Sequence, residues 1–257
     1  MDRIDIDREM AIVVASIGGE VLDRRLHNES GVAIADYYFD RFQTIVELKR
    51  LEDDLASKDD FNQSVKALYM SWVKDGLVPP QPDSAHIQIK SQEIPESCTR
   101  QFVNLVKKRI ENSTIKKANK QLKATKDQLG IPNAKGWLLI ANDGNLLLHP
   151  DMMLNILARA MNGQYRAIHA AAYFSVNELA RSSIVSQPSP IWIDGVFEGR
   201  DPPPEALRNL LQTEWVKHFA KLKNRPVLEV LGDNSASQVD SLRFIERADR
   251  RRDPPRK

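Results

Sequence analysis

The 257-residue sequence contains a single cysteine, Cys98, so an intrachain disulfide and a zinc site built from several cysteines are both excluded. A lone thiol of this kind is usually a small buried hydrophobe. Long apolar runs are also missing, because the stretch 10–17 is far too short to cross a bilayer. The acidic residues before it differ from the basic start of a signal peptide. We expect no membrane segment and a reducing, cytoplasmic compartment.

Glycine-rich nucleotide-binding motifs are missing as well. No G-x-G-x-x-G follows a predicted strand and no G-x-x-x-x-G-K-[ST] occurs, so dinucleotide-binding and P-loop folds lose support. A net charge of only +2 does not identify a partner. The chain is 42% hydrophobic, which is enough for a sizeable core, and its length suits one large domain.

Strand-like and helix-like segments follow each other in an uneven order. The β-branched and aromatic stretches 32–39 and 42–51 predict an antiparallel hairpin. A long helical region is predicted from about 96 to 129, because Gly130 and Pro132 then provide the usual stop. The remaining patterns predict helices at 20–28, 61–73, 149–161 and 202–222, and strands at 136–142, 165–177, 189–197 and 225–232.

This order predicts an α/β (α+β) fold with a central mixed β-sheet flanked by helices. Residues 1–200 form the predicted core, and the proline-containing segment at about 52–97 is an insertion that covers it. Residues 201–246 are predicted to add a C-terminal helix and strand to the same domain. Residues 247–257 have no apolar content and predict a disordered basic tail.

Three charged residues stand out in the predicted hairpin. Glu47 and Lys49 share one face of the second strand because side chains alternate along a strand, and Asp36 lies in the first strand. A cross-strand ion pair on a solvated face, with Asp36 at a strand end, is one interpretation. A second interpretation is that the two acids converge on a cation. It is favoured because burying an unpartnered carboxylate in so apolar a strand is costly.

A magnesium ion, or manganese in its place, suits such a pair of acids. Asp36 and Glu47 provide the hard carboxylate oxygens that Mg²⁺ prefers, and the backbone carbonyl of Leu48 is a further predicted ligand. Lys49 is placed to orient water or to help remove its proton. A metal ion at this position would lower the pKa of an attacking water and neutralise charge on phosphoryl oxygens.

Asp36 followed by Glu47-Leu48-Lys49 on the adjoining strand resembles the motif of the PD-(D/E)XK nucleases, the restriction-endonuclease-like superfamily. The resemblance covers roughly residues 10–180, with Ala35 in place of the motif's proline. It implies a Mg²⁺-dependent nuclease that cleaves phosphodiester bonds by in-line attack of water. It also implies a further acid from the helix before the hairpin, for which Glu20 has the matching place and Asp23 is the weaker choice.

The predicted helix after the hairpin is strongly basic. Lys116, Lys120 and Lys123 share one face, opposite an apolar stripe that includes Leu122. Such a face binds phosphate backbones by counterion release, although surface helices also carry lysine without any ligand. Gln121 resembles a polar residue that some branches of the superfamily use near the site, and we group it with the lysines as a nucleic-acid contact.

These observations leave three hypotheses. The first is a metal-dependent nuclease acting on nucleic acid, with DNA as the expected substrate and a homodimer as one option for its assembly. The second is a catalytically inactive module of the same fold that binds nucleic acid or a protein partner. The third is an α+β protein unrelated to nucleases.

Overall fold

A six-stranded mixed sheet forms the centre of the computed structural model, with strand order β1-β2-β3-β4-β5-β7. The structure describes residues 3–22, 33–81, 93–177, 179–181, 190–224 and 243–244. Strands β3, β4 and β5 are parallel, whereas β1–β2, β2–β3 and β5–β7 are antiparallel, and β6 pairs with β8 in a second sheet. The strands are β1 Glu20–Val21, β2 Tyr37–Phe39, β3 Thr44–Leu51, β4 Lys135–Asn142, β5 Ala170–Ser175, β6 Ala180–Arg181, β7 Trp192–Val196 and β8 Arg243–Phe244.

Helices cover both faces of the large sheet. Their bounds are α1 Ile6–Ser16, α2 Asp59–Lys74, α3 Glu96–Ile110, α4 Lys116–Leu129, α5 Pro150–Met161 and α6 Glu205–Leu222. A π-helical turn at Glu111–Ile115 joins α3 to α4, and short 3-10 turns occur at Asp40–Phe42 and Leu55–Ser57. None of the described helices combines the length and apolar character that crossing a bilayer needs.

Alternation along β3 divides the core between these two layers. Ile45 packs in the cluster that contains Leu122 of α4, whereas Val46 and Leu48 pack in the cluster that contains α1 and α6 residues. Strand β4 lies between two parallel neighbours and is buried on both faces, which explains why its sequence is continuously apolar.

The structure confirms the central mixed α/β sheet flanked by helices, and it confirms the antiparallel hairpin. The long helical region also runs from Glu96 to Leu129 as predicted, through the π turn, and it ends at Gly130 with a φ of 67°. Left-handed backbone of this kind is the ordinary role of glycine after a helix.

Two boundaries predicted before the hairpin are wrong. Residues 20–21 form strand β1 rather than a helix, because Gly18 (φ 81°) ends the turn after α1 and Gly19 allows Val14 and Phe39 to approach closely. Strand β2 begins at Tyr37 rather than at 32. Residues 23–28 of the predicted helix, 82–92 of the insertion, the strand at 225–232 and the tail lie outside the described residues.

Candidate functional site

Helix α4 ends the pairing between β2 and β3. The backbone N–H of Ala35 donates to Thr125 Oγ1 at 2.7 Å, and Gln121 Nε2 donates to the carbonyl of Ile34 at 3.0 Å. These two helix side chains, one turn apart, take backbone groups of the residues that precede β2, and the Ala35 N–H is one that a longer β2 would have directed to β3. The sheet therefore opens at this point, and the second half of β3 faces a cleft instead of a strand.

Asp36 lies at the point where the two strands separate. Tyr37 is opposite Val46, so the same antiparallel register places Asp36 opposite Glu47. Its Oδ2 accepts a hydrogen bond from the backbone N–H of Leu48 at 2.7 Å. The carboxylate thus replaces the main-chain partner that Leu48 would have had in a continued ladder.

The backbone of Leu48 points toward the cleft. A strand residue directs its N–H and its C=O to the same side, and the Leu48 N–H points to Asp36. The carbonyl of Leu51 points to β4 instead, where it accepts from the N–H of Asp143 at 3.0 Å. The Leu48 carbonyl, predicted as a ligand, therefore lies on the Asp36 side of β3.

Glu47 and Lys49 are held together on the α4 side of the strand. The Glu47 side chain is 0% exposed and forms an ion pair with the Lys49 ammonium, whose own side chain is 22% exposed. Lys49 Nζ also donates to Gln121 Oε1 at 2.6 Å. Gln121 thereby connects Lys49 to the segment that leads into Asp36, and one helix residue positions both sides of the opening.

The open edge of β3 borders a cleft of about 470 Å³. Asp36, Leu48 and Lys49 line it from the sheet, and Asp7 lines it from the first turn of α1. Partial burial raises the pKa of Asp7. The Arg50 guanidinium, 3.2 Å from the Asp7 carboxylate, has a weaker effect in the opposite direction.

Sequence reasoning missed Asp7, which belongs to none of the motifs considered. The signal that could have found it is an acid in the first turn of the helix before the hairpin.

Glu20 occupies a more distant position than the resemblance implied. It is exposed and pairs with Tyr38, which is opposite Ile45, so it lies two strands across and two positions along from Glu47. Ordinary strand spacings put the α-carbons of Glu20 and Glu47 roughly 12 Å apart. Glu20 shares their face of the sheet without adjoining them, and Asp23 lies outside the described residues.

The basic face predicted for α4 is present. Lys116, Lys120 and Lys123 are all exposed, and the opposite side of the helix is buried against the sheet at Ala118 and Leu122. Gln121 lies apart from these lysines, because its amide is engaged by Lys49 and Ile34. It contacts Lys49, which lines the cleft, and is not part of the exposed basic face.

Two carboxylates and one backbone carbonyl are the oxygen donors around the opening of the hairpin. Within the described residues, no group of three or more His, Cys, Asp or Glu side chains is placed to hold a metal. Asp36 and Glu47 on opposite register positions, with the Leu48 carbonyl beside them, match the one or two carboxylates with which proteins usually hold Mg²⁺ alongside water and phosphate.

Comparisons with protein-family models, with curated proteins and with solved structures found no significant match to this chain.

Proposed function

We propose that this protein is a PD-(D/E)XK-type, metal-dependent nuclease that hydrolyses phosphodiester bonds of nucleic acid, with DNA as the expected substrate. The observation that carries the proposal is the opening of the β2–β3 hairpin. Asp36 and Lys49 line the cleft there, and Glu47, in the register position opposite Asp36, is buried beside Lys49. A purely structural ion pair would not need the ladder to end at this position.

Asp36, Glu47 and the Leu48 carbonyl would hold Mg²⁺ or Mn²⁺. When bound, such an ion supplies Lewis acidity toward phosphoryl oxygens and a water of lowered pKa. Lys49 contributes a fixed positive charge where negative charge develops on the phosphoryl group, and an ammonium held in advance needs no reorganisation during the reaction. Gln121 keeps that ammonium in place through its 2.6 Å hydrogen bond.

The exposed lysines of α4 support a polyanionic substrate. The same helix holds Lys49 and Ala35 through Gln121 and Thr125, and it presents Lys116, Lys120 and Lys123 to solvent. Phosphates bound along that face would release counterions, so binding should weaken steeply with salt.

Cleavage assays with matched variants test the proposal. Purified protein is incubated with linear and circular DNA and with RNA, with Mg²⁺, with Mn²⁺ and with a chelator. We expect cleavage that needs the divalent ion and that falls about 100-fold or more in Glu47→Gln and Asp36→Asn. Glu198→Gln, which changes an exposed glutamate, should leave the rate unchanged. Cleavage that survives both site substitutions would refute the assigned roles.

A non-catalytic module that binds nucleic acid is the second candidate. It is favoured by the exposed basic face of α4, which needs no metal, and by the ion pair that already neutralises the buried Glu47. This alternative predicts salt-sensitive binding of DNA that is the same with chelator and with Mg²⁺, together with no cleavage of any substrate.

A further inference from the structure

A second group of cations lies at the amino ends of β4 and β5. Lys126 is in the last turn of α4, Lys135 begins β4, and His169 immediately precedes β5. Arg166 precedes this strand in the same loop, and Arg200 follows β7. Lys126, Lys135 and Arg200 are close enough to His169 to influence its titration, and Arg166 similarly influences Arg200. Asp201, an exposed acid, pairs with Lys135.

Lys126 is the most unusual member of this group. It is only 9% exposed, and burial together with the nearby Lys135 lowers its pKa, with Asp127 as a weaker opposing influence. Among the residues that the structure describes, no carboxylate pairs with the side chain of Lys126 or of Arg166. Burying a cation beside other cations is unfavourable, and an anion bound between them would remove that cost.

His169 adds an uncharged ring to the same place. Its Nδ1 accepts the backbone N–H of Gly136 at 2.9 Å, and its own backbone N–H donates to the Gly136 carbonyl at 2.8 Å. Burial, followed by the charges of Lys126 and Lys135, lowers the pKa of His169 to about 4. Nδ1 also lies 3.1 Å from the Ala167 carbonyl oxygen, and at neutral pH the ring is uncharged, so it adds no repulsion to the cations around it.

The backbone around these side chains is tightly fixed. A Cβ on Gly136 would lie 1.9 Å from the Ala167 carbonyl oxygen, so only glycine allows the loop to cross β4 here. Asn119 of α4 accepts the N–H of Ala167 at 3.0 Å. The Arg200 guanidinium donates hydrogen bonds to four backbone carbonyls at the end of α5 and in the loop after it, those of Met161, Gln164, Tyr165 and Ile168. A loop held in this way presents its charges in one arrangement, which favours ligand binding by reducing the entropy cost.

We propose that Lys126, Lys135 and Arg166 form a second contact site for the phosphodiester backbone of the nucleic acid, apart from the cleft, an inference that rests on the proposed substrate class. Lys135 pairs with Thr44, and Lys49 pairs with Ile140, so the two sites are five residues apart along β4. That separation is roughly 16 Å at the usual strand rise. Measured along the duplex axis, it corresponds to the rise of about five base pairs. Helix α4 and its exposed lysines extend beside both sites.

Salt-dependent binding of a duplex tests this site without relying on cleavage. The probe is a fluorescent 30-base-pair DNA duplex, titrated in chelator from 50 to 300 mM salt and followed by anisotropy. Each lost phosphate contact should reduce the slope of log K against log salt by about 0.9 and weaken binding about fivefold at 0.15 M. We expect this change in Lys126→Gln, in Lys135→Gln and in Arg166→Gln, with the slope falling by about 2.7 in the triple variant.

Lys221→Gln is the matched control, because Lys221 is an exposed lysine of α6 on the opposite face of the sheet. Arg166→Gln guards against misfolding, since Arg166 is exposed whereas Lys126 is buried. The inference is overturned if the wild-type protein does not bind the duplex, or if all three variants retain the slope and affinity of the control. A protein that binds with the predicted slope changes but does not cleave would refute only the proposed nuclease activity.

Discussion

Replacing Lys49 by methionine should destabilise the fold as well as abolish cleavage. The Glu47 carboxylate is 0% exposed, and Lys49 is the cation that pairs with it. Methionine keeps much of the apolar stem of lysine while removing the ammonium. The variant leaves a buried charge whose compensating cation is gone, so a loss of activity alone would not identify a catalytic role.

The expected loss of stability can be estimated from the burial of the two partners. Removing one partner of a fully buried ion pair typically costs about 3–5 kcal/mol. Lys49 itself is 22% exposed, so water can partly replace its ammonium and the lower end of the range applies. Lys49→Met should therefore lower the free energy of unfolding by about 3 kcal/mol. This is a large fraction of the roughly 5–15 kcal/mol that holds a domain together.

Urea denaturation at pH 7 in a chelator measures this loss, and a double-mutant cycle assigns it. Glu47→Gln removes the buried charge, so Lys49→Met should cost at least about 1.5 kcal/mol less in the Glu47→Gln background than in the wild type. Lys221→Met, on an exposed lysine of α6, serves as the control with little expected effect. If Lys49→Met is as stable as the wild type, or if the effects of the two substitutions on the free energy of unfolding are additive, then the Glu47–Lys49 ion pair does not stabilise the fold as predicted.

Three further predictions concern other contacts. The free energy of unfolding should fall by about 1–2 kcal/mol, after solvent screening, as the pH drops from 6.5 to about 4. The reason is that His169 binds a proton in the unfolded chain over this range but not in the folded protein. The variant His169→Gln should flatten this pH dependence. Gly136→Ala should destabilise the protein by about 3 kcal/mol or more in thermal unfolding, because its Cβ would meet the Ala167 carbonyl. Gln121→Leu should lower kcat by about 10-fold or more through a mobile ammonium, whereas Gln128→Leu, an exposed change on the same helix, should not, and equal rates would contradict this.

Strand and helix periodicity was sufficient to predict most of the sheet and its helices. The apolar runs of β3, β4 and β5 and the glycine stop after α4 are local signals, and each lies in the sequence of its own element. The parity of Glu47 and Lys49 is equally local, and their shared face is confirmed by the ion pair between them. Local signals therefore identified the elements and the central pair of the candidate site.

Contacts between distant segments could not be predicted in the same way. Strand β2 ends early because Gln121 and Thr125, almost ninety positions later, take the backbone groups of Ile34 and Ala35. Periodicity in the segment 32–39 carries no trace of this competition. The contacts of Gln121 with Lys49 and Ile34, apart from the exposed lysines, follow from the same packing of α4 on the sheet.

Binding of Mn²⁺ followed by electron paramagnetic resonance tests the central claim, that Asp36 and Glu47 act together at one cation site. Titration of the wild-type protein should remove the signal of free Mn²⁺ with a stoichiometry of about one ion or a small integer of ions per chain. Asp36→Asn and Glu47→Gln should each weaken this uptake about tenfold or more, whereas Glu198→Gln should not. A wild-type protein that leaves the free Mn²⁺ signal unchanged, or uptake that is equal in all three variants, would contradict the account.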